Sequence, residues 1–400
     1  MKKWLIGAAV SLIVALLAGC GGSSNTAGGG GSSDPIPIGM WGTITGPDSN
    51  VNGMTIGIKD YLEWSNEKNG GVNGHPFKVT LLDGKYDLNE EIKNFKRLVN
   101  VEKAVVIGAW STGSTKALRE EINNVVKVPV ITSSLTKDVI DPQKYPFLFS
   151  LGPSYEDQHK IAMKYAKDNG AKTFAFLHND KEYGTASVNN VINEKYAESL
   201  GLQVVANVSY PITTTDVTAQ LIELKNKNPD FIYIQDSVNN IVTILRDAAK
   251  VGIPANKFFG NFFGVSQIIP QTLGQSVDGF QAIQVFSDFN ETNKTIAEIK
   301  EFQKKYKIST EDQYYVKGWV TGMLIEEAAK RVLSKTNNQL PETEKFRSMM
   351  RDELEGISNF DVGGAVKAVN YSDHKGATLA KIVQIKNGKY EPVSDWIALQ

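Results

Sequence analysis

The sequence of 400 residues contains one cysteine and four histidines. With a single cysteine, Cys20, an internal disulfide is excluded, so the fold must be stabilised by its hydrophobic cores. The histidines are scattered, without His-Glu-x-x-His or a comparable spacing, so neither a metal site nor a cofactor is predicted. The 43 basic and 44 acidic residues nearly balance and form no basic stripe, which argues against a nucleic-acid partner.

Apolar runs of membrane-spanning length are also missing, although the N-terminus has a short one. Lys2 and Lys3 precede an apolar run at 4–16, which ends in Leu17-Ala18-Gly19-Cys20. This run is shorter than the ~20 residues of a spanning helix, and its positive start and small residues are typical of a bacterial secretory signal. Cysteine after Leu-Ala-Gly resembles a lipoprotein signal with Cys20 lipidated; the alternative is an ordinary signal peptide with a chance cysteine. We predict a signal peptide at 1–19 and an extracytoplasmic protein, lipid-anchored to the cell membrane on the periplasmic side or the outer surface.

A Gly/Ser-rich segment follows the predicted lipidation site. Residues 21–33 read GGSSNTAGGGGSS, the composition of a flexible coil, and a coil of this length reaches about 20 Å. The glycines at 28–31 have no strand before them and no Lys-Ser/Thr after them, so a phosphate loop is not indicated. We therefore expect residues 20–35 to comprise the lipidated cysteine and a flexible linker.

From Ile36 onward, short apolar runs alternate with segments of helical period, for example 56–66 and 90–101. This alternation predicts an α/β fold of parallel sheets covered by helices, and its length favours two doubly wound lobes that face each other across a cleft. Near the C-terminus, Asn387-Gly388 predicts an antiparallel hairpin. The strand-like runs are 104–107, 128–132, 173–178 and 231–234.

Two clusters of hydroxyl residues follow consecutive strand-like runs. The first lies at 111–115, before a helical segment at 116–124, and the second lies at 132–136. Hydroxyls and backbone N–H groups at the start of a helix attract an anion such as a carboxylate, although one Ser or Thr there can simply cap the helix. Because neighbouring strands end side by side, we expect the two clusters to lie close together.

Ser111 raises one catalytic alternative. Ala109-Trp110-Ser111-Thr112-Gly113 resembles the Gly-x-Ser-x-Gly turn of serine hydrolases, with alanine at the first glycine position. Catalysis would also need a histidine partner, and His178 and His374 occur in no recognisable context. Binding is therefore favoured over hydrolysis, and the protein is not expected to be an enzyme.

The order of short motifs along the chain resembles the periplasmic binding proteins of the leucine/isoleucine/valine type, the receptors of ABC importers. The resemblance runs from about Ile36 to the C-terminus. The motifs are Gly46-Pro47, Gly70-Gly71-Val72-Asn73-Gly74, Arg97-Leu98-Val99, Val105-Val106-Ile107-Gly108, Ser114-Thr115, Pro129-Val130-Ile131-Thr132-Ser133 and Asp180-Lys181-Glu182-Tyr183-Gly184.

The resemblance implies two lobes joined by a three-segment hinge, which close on one small molecule. The first lobe would comprise 36–154 and 286–372, and the second 155–285 and 373–400. The expected partners are the permease and ATPase subunits in the membrane, and the receptor itself is expected to be a monomer. A sensory receptor of the same fold and a purely structural surface lipoprotein remain alternatives.

The resemblance also implies ligand-binding residues. Thr112 corresponds to a hydroxyl that binds the ligand carboxylate, Ser134 and Thr136 to residues that meet its carboxylate and ammonium groups, and Tyr183 to an aromatic of the second lobe. The full set is Ser111, Thr112, Ser134, Thr136, Tyr183, Asp236, Ser237, Phe262 and Trp319.

One departure from the family concerns the ligand. Its amino-acid receptors have a glutamate near position 262 that neutralises the ligand ammonium, and this chain has Phe262. Because an unpaired buried ammonium is costly, either Asp236 substitutes or the ligand lacks an ammonium. Trp110, Phe262, Phe263 and Trp319 indicate a wide apolar pocket. The expected ligand is a branched-chain or other hydrophobic amino acid, and the alternative is an aromatic or aliphatic carboxylate.

Overall fold

Two β-sheets, each flanked by helices, form the body of the molecule. The computed structural model describes residues 34–47, 49, 52–367 and 369–398, and these lie in one compact unit. The signal peptide, the lipidated Cys20 and nearly all of the linker predicted for 1–35 lie outside the described residues. None of the helices that the structure describes is long and apolar enough to cross a membrane.

The first sheet has five parallel strands in the order β2-β1-β3-β4-β5. Its strands are near-continuous apolar runs, as in 104–107, because helices bury both faces of the sheet. The strands are β1 (Ile36–Gly42), β2 (Phe77–Asp83), β3 (Val106–Ala109), β4 (Val130–Thr132) and β5 (Leu148–Phe149), and the helices are α1 (Gly53–Asn69), α2 (Leu88–Asn100) and α3 (Thr112–Glu120). Helix α3 begins four residues before the predicted 116, and a π-helical turn at Glu121–Val126 follows it.

The second sheet has the order β12-β11-β10-β9-β8-β6-β7, and β13 pairs with β11. Its strands are β6 (Thr173–Asn179), β7 (Gln203–Tyr210), β8 (Phe231–Gln235), β9 (Phe258–Gly260), β10 (Gln281–Gln284), β11 (Leu379–Lys386), β12 (Lys389–Pro392) and β13 (Ile397–Ala398). Its helices are α4 (Tyr155–Asp168), α5 (Glu182–Asn193), α6 (Tyr196–Ser199), α7 (Thr218–Lys227), α8 (Val238–Val251) and α9 (Ile268–Leu273). The predicted hairpin is confirmed, with Asn387 and Gly388 both at positive φ, as a tight turn between strands requires.

Three helices between β10 and β11 return to the first sheet. They are α10 (Lys294–Tyr306), α11 (Gln313–Lys335) and α12 (Thr343–Glu355). Helix α11 packs along α1, and α12 packs on α11. The chain therefore passes between the two sheets three times: after β5, after β10 and before β11.

The three passages are hydrogen-bonded in place. Ser150 N–H donates to the His374 carbonyl at 2.8 Å, so the first and third passages run side by side. At the second passage, the Gln313 side-chain oxygen accepts the N–H groups of Val285 at 2.9 Å and Phe286 at 3.2 Å. Three parallel connections at one end of the lobes make a hinge possible, and the lobe boundaries given above remain a prediction.

Candidate functional site

A cavity with an empty volume of about 270 Å³ lies between the two lobes. Nearly all of its wall comes from segments that directly follow strands of the two sheets, the position where open α/β sheets bind ligands. The first lobe contributes Tyr86, Trp110, Ser111, Thr112 and Ser133, and the second contributes Tyr155, Tyr183, Ser237 and Phe263.

The turn into α3 has an unusual backbone at Ser111. Its φ of 69° and ψ of 139° lie outside the regions that L-residues favour, and such strained residues are typical of ligand sites. The Ser111 hydroxyl donates to the Glu91 carboxylate, and its oxygen accepts the N–H of Ser114 at 3.3 Å. Ser111 is thus the N-cap of α3, so the capping interpretation is correct for this residue.

The two hydroxyl clusters meet, because β3 and β4 are neighbours in the sheet. The hydroxyls of Thr112 and Ser134 lie 2.9 Å apart, and those of Thr115 and Thr132 lie 2.8 Å apart. Thr112 is the first residue of α3, so its N–H and that of Gly113 have no intrahelical acceptor. The Thr112 hydroxyl and these two N–H groups together suit a carboxylate.

Four helices begin at the cavity wall: α3 at Thr112, α4 at Tyr155, α5 just before Tyr183 and α8 just after Ser237. Each helix N-terminus carries about half a positive charge. Their combined field favours an anion in the cavity and disfavours a cation there.

Aromatic rings form the rest of the wall and link the lobes. Trp110 of the first lobe lies edge-on to Phe263 of the second, with ring centroids 6.4 Å apart. Tyr183 contacts Phe263 at 5.8 Å and Tyr155 at 5.3 Å. Trp41 donates its indole N–H to the Trp110 carbonyl at 2.9 Å, which holds the Trp110 backbone in place. The wall therefore suits an apolar body attached to the anionic group.

An ion pair links the two lobes close to the cavity. Lys116 on α3 pairs with Glu182 on α5 and lies 3.6 Å from the Asp138 carboxylate. Asn190 on α5 also donates to Asp138, at 3.1 Å. These contacts join the two lobes, so they stabilise the closed arrangement.

We expect Glu182→Gln to weaken ligand affinity by about twofold to fivefold, because a half-exposed ion pair contributes at most ~1 kcal/mol. The loss should appear as faster ligand release and should vanish in 1 M salt. Stopped-flow measurement of dissociation rates checks it. Glu90→Gln is the matched control, since Glu90 pairs at 3.5 Å with Lys93 of its own helix. Equal dissociation rates in the two variants would show that the pair does not hold the lobes together.

Of the residues predicted for the site, the structure places Ser111, Thr112, Tyr183 and Ser237 on the cavity wall. Ser134 lies one layer behind, in contact with Thr112, while Ser133 takes the wall position. The Thr136 hydroxyl donates to the buried Glu156 carboxylate at 2.9 Å and is turned away from the cavity. The ligand-binding role of the set remains a prediction.

Three predicted residues lie elsewhere. Trp319 is buried between α1 and α11, 5.3 Å from the Tyr61 ring and 5.5 Å from the Phe302 ring, so it belongs to the core of the first lobe. Phe262 packs against Phe286 and Tyr314, whereas Phe263 faces the cavity. The apolar wall predicted from four aromatics thus contains two of them.

Asp236 is also displaced from its predicted role. It is buried behind Ser237, where its carboxylate accepts bonds from the Tyr210 hydroxyl and from Asn240 Nδ2 at 3.1 Å. Burial raises its pKa to about 6, although the bonds from Tyr210 and Ser237 act in the opposite direction. Because these partners occupy the carboxylate, it does not substitute for the missing glutamate.

The hydrolase alternative has no support in the geometry. Ser111 bonds to Glu91, whereas His178 contacts Asn207 at 2.9 Å and His374 contacts the Leu148 carbonyl at 2.8 Å. Among the described residues of the cavity wall there is no histidine. Within the described part of the chain, no cluster of three His, Cys, Asp or Glu side chains could hold a metal ion.

Sequence reasoning missed several residues at the site. Tyr86 follows the end of β2 by three residues, and Tyr155 directly follows Ser154, the N-cap of α4. Both could have been identified from the sequence, because ligand sites lie at such strand and helix ends. Lys317, buried in α11 next to Ser133, gave no signal, because a single lysine in a helix usually lies in solvent.

Comparisons with known proteins place this geometry among related molecules. A family described as "Periplasmic binding protein" matches residues 35–389. The "Leu/Ile/Val-binding protein homolog 7" of Brucella suis is 26% identical over 353 residues, which cover 83% of each chain.

Solved structures agree in fold. A branched-chain amino acid ABC transporter protein from Thermus thermophilus with bound valine superposes with a TM-score of 0.84 at 23% identity, covering 92% of this chain and 97% of that one. A fatty acid ABC transporter substrate-binding protein from Thermomonospora curvata superposes with a TM-score of 0.80 at 18% identity. The match covers 93% of this chain and 94% of that one. At these identities the likeness shows the fold, a two-lobed type I binding protein.

Proposed function

This chain belongs to the periplasmic binding protein family, and on that premise we propose that it is the solute-binding receptor of an ABC importer. Proteins of this kind bind and release a solute without changing it, so the chain is not an enzyme. The observation that supports the proposal best is the cavity between two hinged lobes, with an anion-binding helix start on one side and aromatic rings on both.

The proposed mechanism is closure of the lobes on the solute. Thr112, its N–H and that of Gly113 would bind the solute's carboxylate from the first lobe, and Tyr183 and Phe263 would cover its apolar body from the second. The Lys116–Glu182 pair forms only when the lobes approach each other, so the closed form differs in surface charge from the open one. A membrane permease can distinguish the two forms on that basis.

We further propose the cellular arrangement expected from the sequence. The signal at 1–19 directs export, Cys20 carries lipid, and the segment 20–35 tethers the two lobes near the membrane. The lobes comprise 36–154 with 286–372, and 155–285 with 373–400, and the monomer delivers its solute to permease and ATPase subunits.

The proposed solute is a small carboxylate with an apolar body. The names of relatives favour a branched-chain amino acid, as in the Brucella protein and the Thermus protein with valine. The Thermomonospora protein is described with fatty acid, so carboxylates without an ammonium group also occur on this fold.

We expect at least one of four probes to raise the melting temperature of the protein: leucine, 4-methylpentanoate, phenylalanine or 3-phenylpropanoate. Thr112→Val should weaken the tightest of them about tenfold or more, because a hydrogen bond to a charged group contributes about 1.5–3 kcal/mol. Thermal shift followed by isothermal titration calorimetry checks both statements.

Thr336→Val is the matched control, since its hydroxyl bonds the Gln339 carbonyl at 2.7 Å at the far end of α11. That variant should bind with unchanged affinity. If none of the four probes binds, the proposed function is wrong. If both threonine variants bind equally well, the carboxylate-binding role proposed for Thr112 is wrong.

A further inference from the structure

Lys317 is a buried cation next to the cavity. It is 1% exposed, and its ammonium donates to the carbonyl of the wall residue Ser133 at 3.4 Å. It also lies 5.7 Å from the centre of the Phe262 ring, adjacent to the wall residue Phe263. The ammonium thus lies one layer behind the cavity wall, between Ser133 of the first lobe and the ring of Phe262.

No carboxylate among the described residues forms an ion pair with Lys317. The carboxylates of its own helix and of the N-cap are engaged elsewhere. Asp312 accepts the Tyr315 N–H at 2.8 Å, Glu326 pairs with Lys330 at 3.1 Å, and Glu327 pairs with Arg331 at 2.8 Å. Asp60 of the adjoining α1 accepts the Tyr315 hydroxyl at 2.7 Å. Burial accordingly lowers the pKa of Lys317 to about 7. A buried cation without a counter-ion is costly unless an anion comes close.

The wall itself contains no acidic side chain among its described residues. Glu91 bonds Ser111, Glu156 bonds Thr136 and Glu182 pairs with Lys116, so the acids near the cavity are engaged with other partners. An α-ammonium in this cavity would face four positive helix ends and a buried lysine. The carboxylates of Glu91 and Asp236, which lie behind the wall residues Ser111 and Ser237, already accept hydrogen bonds from Ser111 and from Tyr210 and Asn240.

We propose that the cavity selects a monocarboxylate with an aromatic or branched apolar body and no α-ammonium group, and that Lys317 is a specificity-determining residue for this charge. This inference rests on the proposed function and names its solute class. Lys317 does not contact the solute and acts on it electrostatically. Its ammonium attracts the solute carboxylate bound at Thr112 and repels an α-ammonium of the solute. The aromatic rings of Trp110, Tyr183 and Phe263 select the body of the solute.

The test compares matched pairs of solutes on the full chain. Titration calorimetry gives the dissociation constants of 3-phenylpropanoate and phenylalanine, of 4-methylpentanoate and leucine, and of the neutral 3-phenylpropanamide. The wild-type protein should bind each acid at least about tenfold more tightly than its amino acid.

Lys317→Met keeps an unbranched side chain that is one atom shorter and removes its charge. We expect this variant to bind the two acids about tenfold more weakly and the amide with unchanged affinity. The ratio of the dissociation constants of amino acid and acid should therefore become smaller. Lys317→Arg, which keeps a cation, should retain the preference for acids. Because an unpaired buried cation is removed, Lys317→Met should melt no lower than the wild type, which separates a charge effect from misfolding.

Two results would overturn the inference. One is a wild-type protein that binds leucine or phenylalanine at least as tightly as the deaminated partner, a comparison that needs no variant. The other is an equal loss of acid and amide affinity in Lys317→Met, which would mean a structural role. Either result leaves the receptor function intact, since that function fails only if no probe binds.

Discussion

Gly318→Ala is expected to lower the free energy of unfolding by about 3 kcal/mol, the upper part of the range for overpacking a well-packed core. A Cβ at Gly318 would overlap the Met54 carbonyl oxygen and lie only 3.0 Å from Gly57 Cα. Helices α1 and α11 therefore cross backbone to backbone, and any side chain at the crossing separates them. Separation would also disturb Trp319, which packs at the same crossing.

The measurement is urea unfolding followed by tryptophan fluorescence. Gly113→Ala provides the matched control, because Gly113 is also helical and a Cβ there meets nothing within 4 Å. The control should be as stable as the wild type or up to ~1 kcal/mol more stable, since alanine is the better helix former. Equal stability of the two variants would show that the crossing tolerates a methyl group and that the helices are not in close contact.

The second large effect is a loss of stability in acid caused by His159. This side chain is fully buried in the second lobe, with its ring 4.6 Å from the Tyr233 ring and Nε2 3.0 Å from the Ser187 hydroxyl. Burial, with a smaller contribution from His178, lowers the pKa of His159 to about 3. The native state thus keeps the imidazole neutral in a pH range where the unfolded chain protonates it.

The sign follows from the two pKa values. Well above 6.5, the ordinary pKa of a histidine, both states are neutral and the group contributes nothing to the pH dependence. Between 6.5 and about 3 only the unfolded state binds the proton, so stability falls by about 1.4 kcal/mol per pH unit. At pH 5 the expected loss is about 2 kcal/mol.

His159→Gln isolates this contribution, because glutamine stays neutral and can still form a hydrogen bond with the Ser187 hydroxyl. The difference in unfolding free energy between wild type and variant should be constant above pH 7.5. As the pH falls to 5, the wild type should lose stability relative to the variant. Burial raises the pKa values of Asp60 and Asp236 to about 6, which acts in the opposite direction, but both proteins share these groups. A difference that does not change with pH would mean that His159 titrates normally in the native state.

The two hydroxyl clusters show how much of the structure can be predicted from local sequence patterns. Apolar runs such as 173–178 predicted strands, and the hydroxyls that follow β3 and β4 were expected to meet because parallel strands end at one edge. These inferences hold since they depend on neighbours in sequence and on the geometry of a single sheet. The start of α3 was predicted less well, since the helix begins at Thr112 and not at 116.

The aromatic residues show where such patterns stop. Phe262 and Phe263 are adjacent and chemically identical, yet only Phe263 reaches the cavity, because a short 3₁₀ turn directs consecutive side chains to different sides. Trp319 was assigned to the site from its resemblance to the family, but the close approach of α1 and α11 encloses it in the core.

By itself, the sequence determined the α/β class, most strand and helix segments, the C-terminal hairpin and the meeting of the two hydroxyl clusters. Only the tertiary structure decided which aromatic rings line the cavity, that Asp236 is occupied by Tyr210 and Asn240, and that Lys317 lies behind Ser133. The physical reason is that burial and charge compensation depend on contacts between segments far apart in the chain, such as Ser133 and Lys317, which no local period records.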